Sequence, residues 1–355
     1  MSLEYKKQQH IDFWNGDGSS LIFIPTAQMC QYDVDDYESR FNNPDKMLEA
    51  ELSRAKAVID WPTDGIPTVR PNLGTVFIPA IAGQSYSITD GQMPWPGEYF
   101  SIEQIEQISA IDVQASKMLK LATDFYDKFN ELGSDEIVGY HADTQGVYDI
   151  LHLLRGDELF YEMSDDNSRS KTHELLKIIT ALYIEVSKAI KEALGEESGE
   201  MTHGHGTQQG MYFPNAGVRL SEDTPTLLSP AMIDEFVLPY MRESAEPFGG
   251  AFVHYCGKHE YLYEKILECD FVRAIDLGNP EMYDTKWLLE KCSATGTVFY
   301  GRLAAVDGES WSDYIKRLAG ILNETGARCV LRPEVFPLEK SECEDMLNMW
   351  HELTG

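Results

Sequence analysis

The sequence predicts an α/β fold of the (β/α)8 (TIM) barrel type, a single domain over residues 1–355 with an N-terminal helical extension (1–18) and long insertions. Three observations lead there. Eight short apolar runs rich in Val, Ile, Phe and Tyr recur along the chain, each closed by a turn or polar residue, as buried strands do. Amphipathic segments with helical spacing lie between most of them. The length, 355 residues, suits eight such units. A doubly wound open sheet is the competing architecture, but no GxGxxG turn follows the first strand.

The strands are expected at "SLIFIPTAQ" (20–28), "IPTVRPN" (66–72), "EIVGYHAD" (136–143), "AGVRLSED" (216–223), "GAFVHYC" (250–256), "FVRAIDLG" (271–278), "TVFYGRL" (297–303) and "ARCVLRPE" (327–334). Between the first two, "NPDKMLEAELSRAKAVID" (43–60) places Met47, Leu48, Ala55 and Val58 on one helical face, with Asn43 or Pro44 as its start signal. The Gly- and Pro-rich stretch 75–97 reads as a long loop or hairpin over one end of the barrel. Residues 101–132 read as two helices, and 172–194 as one strongly periodic helix. A second long insertion covers 196–215. The segment 229–248 opens on Ser-Pro, a cap followed by proline in the first turn. "KHEYLYEKILEC", "TKWLLEKC", "SWSDYIKRLAGIL" and "EKSECEDMLNMWHEL" supply the last helices.

Charge narrows the function classes. There are 29 Lys and Arg against 59 Asp and Glu, a net charge of −30. Nucleic-acid contacts need clustered cations, so nucleic acid is excluded as a partner, as is an anionic membrane surface. No apolar run reaches the roughly 18–20 residues of a membrane helix. The opening "MSLEYKKQQHIDFW" lacks the apolar segment of a signal peptide. The six cysteines are scattered without a CxxC, which reads as reduced thiols and a cytoplasmic location.

In a barrel, chemistry collects at the C-terminal ends of the strands. Those ends here carry Gln28, Arg70, Asn72, His141, Asp143, Ser221, Asp223, His254, Cys256, Asp276, Arg302 and Glu334. His254 and Cys256 are the sharpest pair. Residues i and i+2 of a strand share a face, and imidazole plus thiolate on one face suit zinc. The alternative is a buried cysteine beside a histidine satisfied by the backbone. "HGHG" (203–206) admits a second metal site or a substrate loop, but reads first as a solvated glycine-rich loop. Cys329 lies inside its strand and reads as core. No GK[ST] and no GxSxG is present, so neither a P-loop nor the common serine-hydrolase elbow is built here.

The blocks "FVHYCGKHEYLYEKILE" and "DFVRAIDLGNPE" resemble the uroporphyrinogen decarboxylase superfamily, closest to the branch containing the zinc-dependent methylcobamide:thiol methyltransferases. There a strand ends His-x-Cys-Gly, and after a helix the next strand carries an acid. "VRLSEDTPTLLSPAMIDEFVLPY" (218–240) and "LHLLRGDELFYEM" (151–163) are similar to two further blocks of the superfamily. The likeness runs from about residue 137 to the C-terminus and implies a (β/α)8 barrel. Two departures stand out. The decarboxylases' N-terminal arginine cluster is missing, which turns the reading away from porphyrinogen decarboxylation. The cysteine that follows the last strand in the methyltransferase branch is also missing: the stretch reads "LRPEVFP" (331–337), with Glu334 nearest.

The resemblance implies a corrinoid-dependent methyltransferase. His254, Cys256 and Glu334 would hold zinc or another divalent metal, and a partner protein would carry the methylcorrinoid. Asp143, Asp223 and Asp276 would be catalytic, orienting a small methyl acceptor such as a thiol. Gln28, Arg70, Asn72, His141 and Arg302 would bind it, Arg302 at an anionic end. A homodimer is among the assemblies compatible with this. Two alternatives remain open at this point: a lyase acting on a small carboxylate or tetrapyrrole through the aspartates, and a binding protein that grips a corrinoid protein without turnover.

Overall fold

The computed structural model describes residues 2–26, 37–89 and 93–355. Strands form in all eight expected stretches: Leu21–Ile22 (β1), Ile66–Val69 (β2), Val138–Gly139 (β3), Val218–Ser221 (β4), Ala251–Tyr255 (β5), Val272–Leu277 (β6), Val298–Gly301 (β7) and Cys329–Leu331 (β8). Six of them make one parallel sheet in the order β1-β8-β7-β6-β5-β4. β2 and β3 pair in parallel as a separate piece, and an antiparallel hairpin, Met201–His203 with Gln209–Phe213, adds to β2.

Among the described residues the ladder is therefore interrupted between β1 and β2 and between β3 and β4. Side chains bridge both gaps. The buried Asp64 carboxylate accepts the Ile22 N–H at 2.7 Å, while its own N–H donates to the Ile22 carbonyl at 3.1 Å. Across the second gap Arg219 of β4 donates to the carboxylate of Asp143, just past β3, at 2.9 Å.

Alternation along the strands separates two apolar layers. Val253, Tyr255, Ile275, Leu277, Phe299 and Leu331 pack against the helices. Phe252, Ala274, Val298, Tyr300 and Val330 point the other way, to an inner face. There Phe252 stacks on Phe213 (5.5 Å between centroids) and meets Tyr300 edge-on (5.0 Å). Truncating one buried ring of this kind costs about 3–5 kcal/mol.

The N-terminal extension is a helix, Leu3–Asn15, capped by the Ser2 hydroxyl and closed by Gly16 in the left-handed region. Its buried side, Lys6, His10 and Phe13, follows helical spacing. Arg328, just before β8, donates to the Phe13 carbonyl, so Phe13 and Trp14 close the inner face at the N-terminal ends of the strands. Lys6 donates to the Gly65 carbonyl at 2.6 Å, and burial pushes its ammonium down to about 8. Asp64 also receives Gln9 at 2.8 Å and His351 of the last helix, Lys340–Thr354, at 3.0 Å. One carboxylate thus joins β1 to helices from both ends of the chain.

The helices follow their sequence signals. Asn43 caps Pro44–Ile59, and Ser229 caps the turn opened by Pro230, which passes through a π-helical turn at Ile233–Val237. Residues 101–132 resolve into Ile102–Gln107 and Lys117–Glu131. The 75–97 stretch holds a buried helix, Phe77–Ile81, before its hairpin. No helix among the described residues is long and apolar enough to cross a membrane.

Candidate functional site

His254 and Cys256 project from β5 on its inner side, as their spacing requires. Cys256 Sγ lies 3.5 Å from His254 Nε2. Asp223, just past β4, brings Oδ1 to 3.8 Å from the same nitrogen and accepts the Cys256 N–H at 2.6 Å. The three donor atoms all lie within 4.8 Å of one another.

β6 runs beside β5 with Asp276 opposite His254. Asp276 Oδ2 accepts from His254 Nδ1 at 2.7 Å, so the proton sits on Nδ1 and Nε2 keeps its lone pair toward Cys256 and Asp223. A second imidazole, His205, reaches the same oxygen through Nε2 at 2.7 Å. Burial alone would raise the Asp276 carboxyl, but these two imidazoles hold it well below the usual carboxylate range.

His205 comes from the "HGHG" loop, and here the structure corrects the reading of that loop as solvated. The ring is packed 4.5 Å from His254 and 5.6 Å from Phe252. Its backbone adopts φ +44°, a left-handed value uncommon outside glycine. Burial pushes its imidazole down to about 3, so it is neutral, and its Nδ1 is buried without a partner among the described residues.

Two sets of three side chains therefore meet at His254, and their spacings separate them. Ligands bonded to zinc at 2.0–2.3 Å stand roughly 3.3–3.8 Å apart in a tetrahedral site. The separations from His254 Nε2 to Cys256 Sγ (3.5 Å) and to Asp223 Oδ1 (3.8 Å) suit a cation. The 2.7 Å contacts of Asp276 are hydrogen bonds that orient the imidazole. The donor set of one thiol, one imidazole and one carboxylate fits a divalent metal such as zinc.

Without a metal, burial and the neighbouring Asp223 push the Cys256 thiol up to about 12. Gly278 gives the sulfur its place, because a Cβ there would collide with Sγ. Gly301, at φ +154°, makes the same room for the Asp276 carboxylate.

Asp223 is held by a pair of carboxylates that the sequence reading passed over. Asp149 accepts the Asp223 and Thr224 N–H groups at 2.7 and 2.9 Å. Glu222 accepts the Tyr148 and Asp149 N–H groups at 3.2 and 3.0 Å. Glu222 thereby caps the helix Val147–Arg155, whose own N-cap is the side-chain-free Gly146. Burial and Asp223 push Asp149 up to about 7. Burial and Asp149 push Glu222 well above its ordinary value.

The remaining expected residues spread around this centre. Asp143 binds Arg219 at 2.9 Å and Gln145 Nε2 at 2.7 Å, with Arg70 at 3.9 Å. Burial would raise Asp143, and the two guanidiniums hold it well below the usual range. Arg70 also lies over the Tyr140 ring. Asn72 holds Tyr37 through its carbonyl at 3.0 Å. His141 pairs with Glu196 at 3.0 Å and is not among the groups gathered at His254. Arg302 donates to the Gly278 carbonyl at 2.5 Å and faces Glu334 at 3.9 Å. Gln28 lies outside the described residues.

Glu334, expected as the third ligand, is not in the group gathered at His254; its Oε2 accepts the Ala305 N–H at 3.0 Å. The reason is topological. β8 stands three strands from β5, whereas β4, which carries Asp223, adjoins it. Arg219 was also missed, although it lies on the same side of β4 as Ser221 and Asp223 by the parity that singled out His254 and Cys256.

No protein-family profile and no curated relative matches the chain. Among solved structures, a methyltransferase from Methanosarcina mazei is similar over 99% of both chains, with a TM-score of 0.64 and 16% identity. At that identity the likeness is one of fold.

Proposed function

We propose that the chain transfers a methyl group between a corrinoid carried by a partner protein and a small acceptor, a thiol or similar nucleophile. In this reading His254, Cys256 and Asp223 hold a divalent metal, zinc by preference, at which the acceptor docks. We infer as well that the two sheet pieces close into the eight-stranded barrel. The observation that carries the reading is the meeting of an oriented imidazole lone pair, a thiol and a carboxylate within 4.8 Å. The structural likeness to a methyltransferase supports the reaction class.

When bound, the metal supplies a lowered pKa for the acceptor, so that a thiolate is present at neutral pH. This chain's own groups do the rest. Asp276 and His205 fix the ring of His254. Asp149 and Glu222 fix the loop that presents Asp223. Cys256 gives up its proton on loading, which makes metal uptake weaken as pH falls. Asp143, locked between two arginines, organises the wall rather than moving a proton.

Metal analysis of purified wild type, His254→Ala and Cys256→Ala tests the centre. Near-stoichiometric metal in the wild type and loss in both variants is the expected result; full retention in both sinks the assignment. Methyl transfer from a methylated corrinoid protein to a panel of thiols and tetrahydrofolate tests the chemistry, and failure with every acceptor removes it.

A further inference from the structure

The inner wall beside the proposed centre carries two polar groups that the reading above leaves unused. Tyr300 stands on the inner face of β7, next to Asp276 by the register Ile275–Phe299. It is fully buried and its hydroxyl has no hydrogen-bond partner among the described residues. An unpaired buried hydroxyl is costly, and folds rarely retain one without a ligand or water for it.

Arg332 follows β8. Val330 packs on the inner face and Leu331 on the helix side, so alternation turns Arg332 inward. Its N–H donates to the Gly301 carbonyl at 2.8 Å, which sets it beside the end of β7. Its charge is close enough to Tyr300 to oppose the upward push that burial gives the phenol. The guanidinium makes no hydrogen bond or ion pair with any described residue. Among the described residues, eight other arginines lie within 4.0 Å of a carboxylate. In a chain with twice as many acids as bases, an arginine kept unpaired at the mouth of a site is available for an anion from outside. Arg302, expected to hold such a group, is instead taken up by the Gly278 carbonyl and Glu334.

We propose that Arg332 and the Tyr300 hydroxyl anchor a carboxylate on the acceptor, and so determine which acceptors the site takes; this rests on the metal-centre reading for the position of the acceptor's reactive end. The planar guanidinium fork matches a carboxylate's two oxygens, and the phenol adds a third donor. β5 and β8 are three strands apart in the sheet, so a short molecule with its nucleophile at one end and its carboxylate at the other is the acceptor class this arrangement suits.

The test uses full-length protein loaded with cobalt(II), whose thiolate charge-transfer band reports acceptor binding. Two matched thiols serve as probes, 3-mercaptopropionate and its neutral isostere 3-mercaptopropionamide. The acid should bind the wild type at least tenfold tighter than the amide. Arg332→Gln should remove that preference by weakening the acid alone, Arg332→Lys should keep part of it, and Tyr300→Phe should reduce it severalfold. If Arg332→Gln fails to fold by circular dichroism, the lysine and phenylalanine variants carry the comparison. Equal affinity of the wild type for acid and amide, or equal weakening of both by Arg332→Gln, overturns this proposal alone. Absence of binding by either thiol to cobalt-loaded protein overturns it together with the metal-centre reading.

Discussion

His254 Nδ1 lies 2.7 Å from Asp276 Oδ2, across two strands that pair these residues directly. In the proposed metal centre this contact decides which imidazole nitrogen would be left as a ligand. Asp276→Asn removes the charge and allows the other tautomer. Metal affinity should fall about 10–100-fold while the fold persists, measured by competition with a chromophoric chelator. Unchanged affinity would show that Asp276 does not orient the ligand.

Cys256 is solvent-accessible, yet burial of its sulfur and the Asp223 charge push its thiol up to about 12. In metal-free protein at pH 8 its thiolate fraction is then roughly a thousandth of that of an ordinary cysteine. Alkylation by iodoacetamide, followed at Cys256 by mass spectrometry, should be slow at pH 8 and should climb steadily to pH 10. A rate plateau near pH 9 would refute the account.

Gly278→Ala introduces a Cβ into the position held by Cys256 Sγ. Displacing the sulfur should cost at least about tenfold in metal affinity, since donor placement within a few tenths of an ångström decides such sites. Urea unfolding of the metal-free variant should shift far less, by about 1–2 kcal/mol. A metal affinity equal to wild type would show that the sulfur sits elsewhere.

His351 donates to the buried Asp64 carboxylate at 3.0 Å. Burial lowers the imidazole, but the hydrogen bond and charge of Asp64 outweigh it, so the folded value is raised. A raised histidine stabilises the fold at pH below its unfolded value, and that contribution is lost as pH climbs through the folded value. The stability difference between wild type and His351→Gln should be greatest near pH 5.5, on the order of 1 kcal/mol, and should shrink by pH 8.5. Urea midpoints across that range measure it. Asp64→Ala should cost more, about 3 kcal/mol or above, because it strands the buried Ile22 N–H.

Local pattern carried the strands well. Short β-branched and aromatic runs mark buried strands, and parity alone places His254 and Cys256 on one face. What parity cannot supply is which strand lies beside which, and the third member of the trio depends on that. Glu334 looked nearest because it follows the last strand, while Asp223 is nearest because β4 adjoins β5. His205 was hidden for another reason. Two flanking glycines make its loop read as solvent-exposed, and only tertiary packing against Phe252 and Asp276 buries it. Arg332 carries no local signal, since its distinction is that its guanidinium has no partner among the described residues.

Phe13, Trp14 and Phe213 stop up the inner face at the N-terminal ends of the strands. In the reading proposed above, the carrier of the methyl group and its acceptor would both come to His254 from the opposite end of the strands. A carrier protein seated there would cover the way in, so a small acceptor would have to enter first.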